Sequence, residues 1–285
     1  LDMRYVGQNY ELAVPLDGLA APTVAELTRR FFAEHDRAYG EIWGEHVHHG
    51  YWRTGRETAE EAAEALVALV AERLQLAPHM SLCDIGCGYG ATAEYLAERH
   101  EVDVMGFTIS SRQARVAEGR QPKRGSFRAL HRDWLDNRLP DQCFDGAYAI
   151  ESSEHMPDKQ AFFREAWRTL RPGGRLVVCA WLAGPKPKAW EIRHLLEPIC
   201  REGRLPSMGS WADYEALALN EGFSLVSYDD ISAKVRRTWS ICGRRLARKV
   251  ATDAYYLRLV TSPATRNRAF ILSVPRLMVA LRTGA

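Results

Sequence analysis

Two short stretches of this sequence gather the residue types that chemistry needs. In Asp84-Ile85-Gly86-Cys87-Gly88-Tyr89-Gly90, a carboxylate ends an apolar run and three glycines alternate behind it. Glycine at these positions lets the backbone turn sharply and approach a ligand with no Cβ in the way. Alone the pattern is weak, because dinucleotide sites and simple tight turns share it. In Glu151-Ser152-Ser153-Glu154-His155-Met156-Pro157, two carboxylates and an imidazole crowd one segment. A carboxylate beside an imidazole can raise the imidazole pKa and hold its tautomer, which gives a base suited to neutral pH. Glu151, Glu154 and His155 are therefore the candidate catalytic residues, with the choice of base left open. The plainer alternative makes Glu154 a cap for the helix beginning at Lys159 and His155 a packed side chain. His46, His48 and His49 invite a metal reading, but their spacing fits no tight zinc pattern and no cysteine lies near. No metal is expected.

Both stretches need elements to hold them. Ser81 to Ile85 reads as a buried strand running into the glycines, and Val102 to Phe107 and Phe144 to Ile150 as further strands. Thr58 to Leu76 places Ala62, Leu66, Leu69, Val70 and Leu74 on one helix face. Helices are expected from Thr92, through Gln113 and Val116, and over Lys159 to Leu170. Arg171-Pro172-Gly173-Gly174 reads as a turn before a strand from Arg175 to Trp181. Strand alternating with helix implies parallel crossovers and a doubly wound α/β sheet, in which ligands sit beyond the carboxyl ends of the strands. Both motifs lie at such ends. Beyond Trp181 the alternation loosens. Helices are expected over Trp190 to Arg201, Trp211 to Asn220 and residues 233–270, with a strand over Gly222 to Tyr228. Ala269 to Leu281 fits a strand or a covering helix. Val24 to Tyr39 has helical spacing ended by Gly40, and Tyr5 to Val14 could pair as a strand.

Composition excludes several classes. The chain has 285 residues, 46% hydrophobic and 26% charged, and 38 basic against 36 acidic residues leave a net charge of only +2. Nucleic-acid binding normally shows a stronger basic excess. No apolar run reaches the ~20 residues of a membrane helix. The cysteines, at 83, 87, 143, 179, 200 and 242, are irregularly spaced and several sit in apolar runs. Disulfides are not expected, and a cytoplasmic location is. The basic stretch Lys234, Arg236, Arg237, Arg244, Arg245, Arg248 and Lys249 could meet a phosphate-bearing acceptor, although a solvated helix face explains it more simply. Trp181, Trp190, Trp211, Trp239, Tyr255 and Tyr256 could line an apolar pocket.

The motifs also resemble a known family. The dinucleotide fingerprint wants its third glycine one residue later and an acid where Thr108-Ile109-Ser110 stands. The segment from Asp84 to Gly90 is instead similar to the first motif of class I S-adenosylmethionine-dependent methyltransferases. Trp43-Gly44-Glu45-His46-Val47-His48-His49-Gly50-Tyr51, Gly106 to Gln113, Glu151 to Lys159 and Leu205 to Ser210 narrow the likeness to the gamma-tocopherol methyltransferase-like small-molecule group. The resemblance spans residues 41–285 and implies a Rossmann-like sheet of the seven-stranded type, with a helical acceptor-binding cover over about 182–268. It implies that Asp84, Gly86 and Gly88 cradle the amino-acid and ribose portions of S-adenosylmethionine. Thr108, Ile109 and Gln113 would lie by the ribose and adenine, Asp133 and Trp134 by the adenine, and Tyr51 by the sulfonium, with Glu151 also among the cofactor contacts. Many relatives carry an acid where Thr108 stands here.

The expected activity is methyl transfer to a small, largely apolar acceptor, at a phenolic oxygen, an amine, or a prenyl or aromatic carbon, in specialised metabolism. Two alternatives belong to other classes: a cofactor-binding cyclase or isomerase without net methyl transfer, and a non-catalytic partner of a hydantoinase-like enzyme. The second arises because Met3 to Leu12 and Phe32 to Gly40 resemble a short piece of hydantoinase/oxoprolinase A-type proteins. Residues 1–40 are read as an appendage for docking or dimerisation, so a homodimer is a candidate state.

Overall fold

The computed structural model describes residues 40–203, 205–261 and 268–285, with Glu26, Arg37 and Ala38. Side chains of residues 268–273 are not part of that description. The strand expected over Tyr5 to Val14, and nearly all of the helix expected over Val24 to Tyr39, lie outside the described residues. Gly40 is not a helix end, because helical backbone runs on through it to Trp43.

Five parallel strands form one sheet: β1 (Ser81–Ile85), β2 (Asp103–Thr108), β3 (Ser126–His131), β4 (Phe144–Ile150) and β5 (Leu170–Cys179), in the order β3-β2-β1-β4-β5. The chain winds outward from β1 to β3, then returns to place β4 on the other side of β1. That reversal lies between β1 and β4, where an open α/β sheet leaves a crevice for ligands. The glycine loop leaves β1 and the acid loop leaves β4, so both flank the crevice.

Alternation along the strands sorts the core into two layers. Leu82, Val104 and Tyr148 face α1 (Ala59–Leu74) and α2 (Ala91–His100), while Cys83, Ile85, Phe107, Ala147 and Ala149 face α4 (Lys159–Thr169). Between them in the chain runs α3 (Ser111–Glu118). Thr58 starts α1 with a capping box to Glu61, and Ala62, Leu66, Val67, Val70 and Leu74 are buried on one face. Burying each large side chain of this kind contributes about 1.5–3 kcal/mol. Asp158, not Glu154, caps α4 by accepting from the Ala161 N–H at 2.8 Å.

A third apolar cluster forms the cover. It joins α5 (Glu197–Gly203), α7 (Arg237–Thr252), α8 (Ala254–Thr261) and α9 (Arg268–Thr283) with Ile42 and Trp43. The same cluster takes in Ala183, Leu195 and Leu196, so it begins next to the expected boundary near 182, and through Val274, Leu277 and Ala280 it extends past 268. Within the expected range, α6 (Trp211–Glu221) does not belong to it and packs on α4 instead.

Three further expectations change. The sheet has five strands among the described residues, not seven. Gly222 to Tyr228 forms no strand there: Leu225, Val226 and Tyr228 are exposed, and the segment is held by Phe223 against Trp167 and Tyr228 stacked on Trp211. The turn expected at 171–174 lies inside β5, where a register shift opposite Phe144 and Gly146 absorbs it and Gly173 takes a φ of +82°. The ambiguous C-terminal run is helical, as α9, despite Pro275 within it. An internal proline costs a helix ~3 kcal/mol, which burial of Leu277 and Ala280 in the cover helps offset.

Candidate active site

The glycine loop is built for close approach. Gly86, Gly88 and Gly90 have φ of +90°, +53° and +79°, the left-handed region that other residues avoid. A Cβ on Gly86 would lie 2.3 Å from Ser152 Cβ, so this glycine lets the two loops touch. Ser152 reinforces the contact by donating its hydroxyl to the Ile85 carbonyl. Gly88 differs, since a Cβ there would meet nothing within 4 Å. Its missing side chain serves the open side of the loop. Gly90 stands at the N-terminus of α2, where unpaired N–H groups and the helix dipole favour negative charge.

Asp84 is 3% exposed, and its Oδ2 is buried without a hydrogen bond. Burial pushes its carboxyl up to about 7, while the hydroxyl of Tyr148, its register partner on β4, pulls the other way. Thr108 and Gln113 are both buried and join directly, Oγ1 donating to Oε1 at 2.8 Å. Ser110 caps α3 between them by accepting from the Gln113 N–H at 3.3 Å, with half-buried Ile109 alongside. Asp133 accepts from the Leu135 N–H at 3.0 Å. Trp134 is core: it packs edge-on to Phe107 and donates Nε1 to the Phe162 carbonyl at 3.3 Å.

In the acid loop, the carboxylate–imidazole pair on display joins Glu151 to His49. Glu151 Oε1 lies 2.7 Å from His49 Nδ1 and also accepts the His49 backbone N–H at 2.7 Å. Burial would raise the Glu151 carboxyl, but the charge and hydrogen bonds of His49, helped by His48, hold it below the usual range. Glu151 also takes a φ of +52°, a strained conformation for a non-glycine residue that structures keep mostly at functional positions. Glu154 is 2% exposed; its Oε1 accepts the Trp181 N–H at 2.6 Å and its Oε2 the Ser153 hydroxyl at 3.2 Å. Burial pushes Glu154 up to about 7, with the Trp181 N–H opposing. Lys159, brought down to about 8 by burial, donates to the carbonyls of Glu154 and Met156 at 3.2 and 2.9 Å. His155 is half-buried in the 3-10 turn Ser153–His155.

The histidine segment folds against all of this. His46 Nδ1 and His48 Nε2 both meet Thr92 Oγ1, at 3.2 and 3.4 Å. Burial lowers His46 to about 3 and lowers His48 as well. Among the described residues no group of His, Cys, Asp and Glu is placed to hold a metal. Gly50 donates to Thr238 Oγ1 at 3.0 Å and half-buried Tyr51 to the Ala62 carbonyl at 2.7 Å, which ties the segment to α7 and α1. The His49 ring meets Trp43, Trp181 and Trp239 edge-on, with centroids at 5.9, 5.2 and 5.4 Å. The indole N–H groups of Trp181 and Trp239 are buried and have no hydrogen bond.

Of the expected pocket aromatics, Trp181 and Trp239 reach this centre. Trp190 is exposed, Trp211 stacks on Tyr228 outside, and Tyr255 and Tyr256 pack at Arg37. The basic stretch is largely a clasp on the N-terminal segment. Lys234 and Arg237 donate to the carbonyls of Arg53 and Gly55, Arg245 to those of Ile42 and Trp43, and Lys249 pairs with Glu41. Sequence reasoning missed the pairing of His49 with Glu151. The histidine cluster marked one partner and the acid loop the other, but no spacing connects them.

The family model for mycolic acid cyclopropane synthetase matches residues 47–256. The chain is 34% identical over 231 residues to 27-O-demethylrifamycin SV methyltransferase of Amycolatopsis mediterranei (strain S699), covering 80% of this chain and 84% of that one. It is 30% identical to the chloroplastic tocopherol O-methyltransferase of Arabidopsis thaliana, over 77% and 70% of the two chains. The fold superposes on the crystal structure of the [4+2]-cyclase SpnF with a TM-score of 0.75 at 24% identity, covering 93% of each chain.

Proposed function

This chain belongs to the mycolic acid cyclopropane synthetase family of S-adenosylmethionine-dependent methyltransferases, and we propose that it methylates a small, largely apolar acceptor in specialised metabolism. Relatives named for rifamycin and tocopherol methylation support that acceptor class. The observation that carries the reading is the pairing of an open glycine loop with a buried carboxylate–imidazole pair across the crevice between β1 and β4.

The residues present fit the cofactor. Gly88 leaves room at the loop, and Asp84 Oδ2 is a buried acceptor still in need of a donor. In this reading Asp84, Gly86 and Gly88 hold the amino-acid and ribose portions, and Thr108, Ile109, Gln113 and Asp133 hold the ribose and adenine. Trp134 supports the adenine wall from the core. Tyr51 and Glu151 stand at the sulfonium end. When bound, the cofactor supplies an activated methyl with its own leaving group. The chain must align an acceptor with that methyl and take up any proton the acceptor loses. Glu154 is assigned to shaping the acid loop, since both its oxygens already accept hydrogen bonds from the chain, and His155, half-buried in the same turn, stays in this reading among the groups that could take up a proton.

The finer parts of the proposal are a cytoplasmic location and a homodimer docked through residues 1–40. No described helix is long and apolar enough to cross a membrane. Light scattering on the full chain and on a chain lacking residues 1–40 checks the dimer: the same number of subunits in both would end it. For the activity, the test is transfer of labelled methyl from S-adenosylmethionine to a panel of phenols, amines and prenyl compounds. Label in an organic-soluble product is expected. Cofactor binding without labelled product or S-adenosylhomocysteine would move the chain to the cyclase alternative.

A further inference from the structure

The geometry points to His49 as the general base for a hydroxyl acceptor carried on an aromatic ring, with Glu151 as its positioning carboxylate and the three indoles as the ring's seat. This rests on the methyl-transfer reading above and adds the base and the attacking atom to it. Because Nδ1 of His49 faces a carboxylate at 2.7 Å, it carries the proton, which leaves Nε2 as the basic nitrogen. The same Glu151 oxygen also holds the His49 backbone, so the imidazole is fixed in both position and tautomer. Glu151 reaches it through the strained backbone noted above.

The surroundings select the acceptor. Trp43, Trp181 and Trp239 contact the imidazole and, in two further pairs, one another, at centroid distances of 5.3 and 5.5 Å. Walls of this kind suit a flat ring in offset or edge-on contact. Buried polar groups without partners are few in folded proteins, yet two indole N–H donors, from Trp181 and Trp239, are left so beside this one histidine. Such donors suit an oxygen and offer nothing to an olefin. An aromatic amine, neutral at pH 7, attacks with a free lone pair and needs no proton removed first, whereas an alkylamine arrives as an ammonium cation, which buried indole donors do not suit. A phenolic hydroxyl, with a pKa near 10, is a poor nucleophile until its proton leaves.

The step balances. The acceptor O–H proton passes to His49 Nε2, and an oxygen lone pair forms the bond to the methyl carbon. The carbon–sulfur bond breaks with its electron pair going to sulfur. The products are a methyl ether, neutral S-adenosylhomocysteine and an imidazolium beside the Glu151 carboxylate, and that proton then leaves to water.

The test uses the full chain, labelled S-adenosylmethionine and a panel of 4-methylcatechol, 2,3-dimethylhydroquinone and 1-naphthol. The wild type is expected to form a methyl ether with at least one of them. His49→Ala should lower kcat about 10²–10³-fold with the KM for cofactor unchanged, and added imidazole should restore at least a tenth of the loss. His49→Gln covers the case in which the alanine variant fails to fold. Glu151→Gln should lower kcat about tenfold without moving the acceptor KM, whereas Trp239→Phe should raise that KM about fivefold, as loss of one hydrogen bond does. Folded His49 variants within threefold of wild-type kcat would overturn the proposal, as would a loss that imidazole leaves untouched. A wild type that binds cofactor and methylates amines or prenyl compounds but no phenol overturns the acceptor while leaving the methyltransferase reading intact. A wild type that binds no cofactor sinks both.

Discussion

The two sides of the crevice are assembled in different ways. On the glycine-loop side the contacts are short in sequence: Thr108 meets Gln113 five residues on, and Gly90 opens α2 directly after β1. On the imidazole side, His49 and Glu151 are 102 residues apart, Gly50 and Thr238 are 188 apart, and Arg245 reaches back 203 residues to Ile42. The first side is a local motif on a sheet edge and forms wherever the sheet forms. The second exists only when the helical cover has closed over the N-terminal segment. Damage to the first should therefore spare the second, while loosening the cover should displace His49 and leave the glycine loop in place.

The largest expected effect comes from breaking the contact shared by both sides. Gly86→Val forces a side chain into Ser152 at a backbone φ of +90°, and should destabilise the fold by about 3 kcal/mol or more. Urea unfolding measures this, and a variant as stable as wild type would mean that the two loops do not press on each other. A smaller effect is expected from pH. The Glu154 pKa is raised by burial from 4.5 to about 7, so the folded state holds its proton more tightly than the unfolded one. The associated stability is present below pH 4.5 and is lost as pH rises toward 7. Asp84 acts in the same sense. Glu154→Gln should flatten that decline by on the order of 1–2 kcal/mol between pH 5 and 8. Denaturation midpoints across this range, identical in slope for both proteins, would refute a buried acid at this position.

How much of this could be read beforehand follows the same division. Asp84 to Gly90, the Thr108 to Gln113 stretch and the β4 boundaries are legible because each is a local pattern: apolar runs at strand spacing, and glycines where φ is positive. Glu151 stands out in the sequence by type and place, but its contact with His49 does not, because His49 sits on a segment whose position depends on α7. The sequence reading set His155 beside an acid by adjacency, and the fold supplied His49 by tertiary packing. The Arg and Lys run looked like an anion site or a wet helix face. Its partners proved to be backbone carbonyls and Glu41, Glu60 and Glu57-loop atoms of the distant 41–57 segment and the start of α1. Residues 222–228 have the β-rich composition of a strand but lack a described neighbour to pair with, and propensity cannot supply one.

The clasp gives the smallest expected change. Arg245 is half-buried and donates to the carbonyls of Ile42 and Trp43 and to Glu60. Arg245→Ala should lower stability by about 1–2 kcal/mol and reduce methyl transfer, with cofactor affinity kept. Thermal melts and turnover on the same preparations check this. A loss of cofactor affinity equal to the loss of turnover would erase the distinction between the two sides.

That distinction is tested most directly by calorimetric titration of S-adenosylhomocysteine into wild type, Gly88→Ala and His49→Ala. Alanine at 88 meets no protein atom within 4 Å, so the fold should persist while affinity falls at least about tenfold, because a Cβ would intrude where the ligand approaches. His49→Ala should bind as wild type does. Tight binding by Gly88→Ala together with lost binding by His49→Ala would contradict the assignment of cofactor to the glycine loop and of proton transfer to the imidazole.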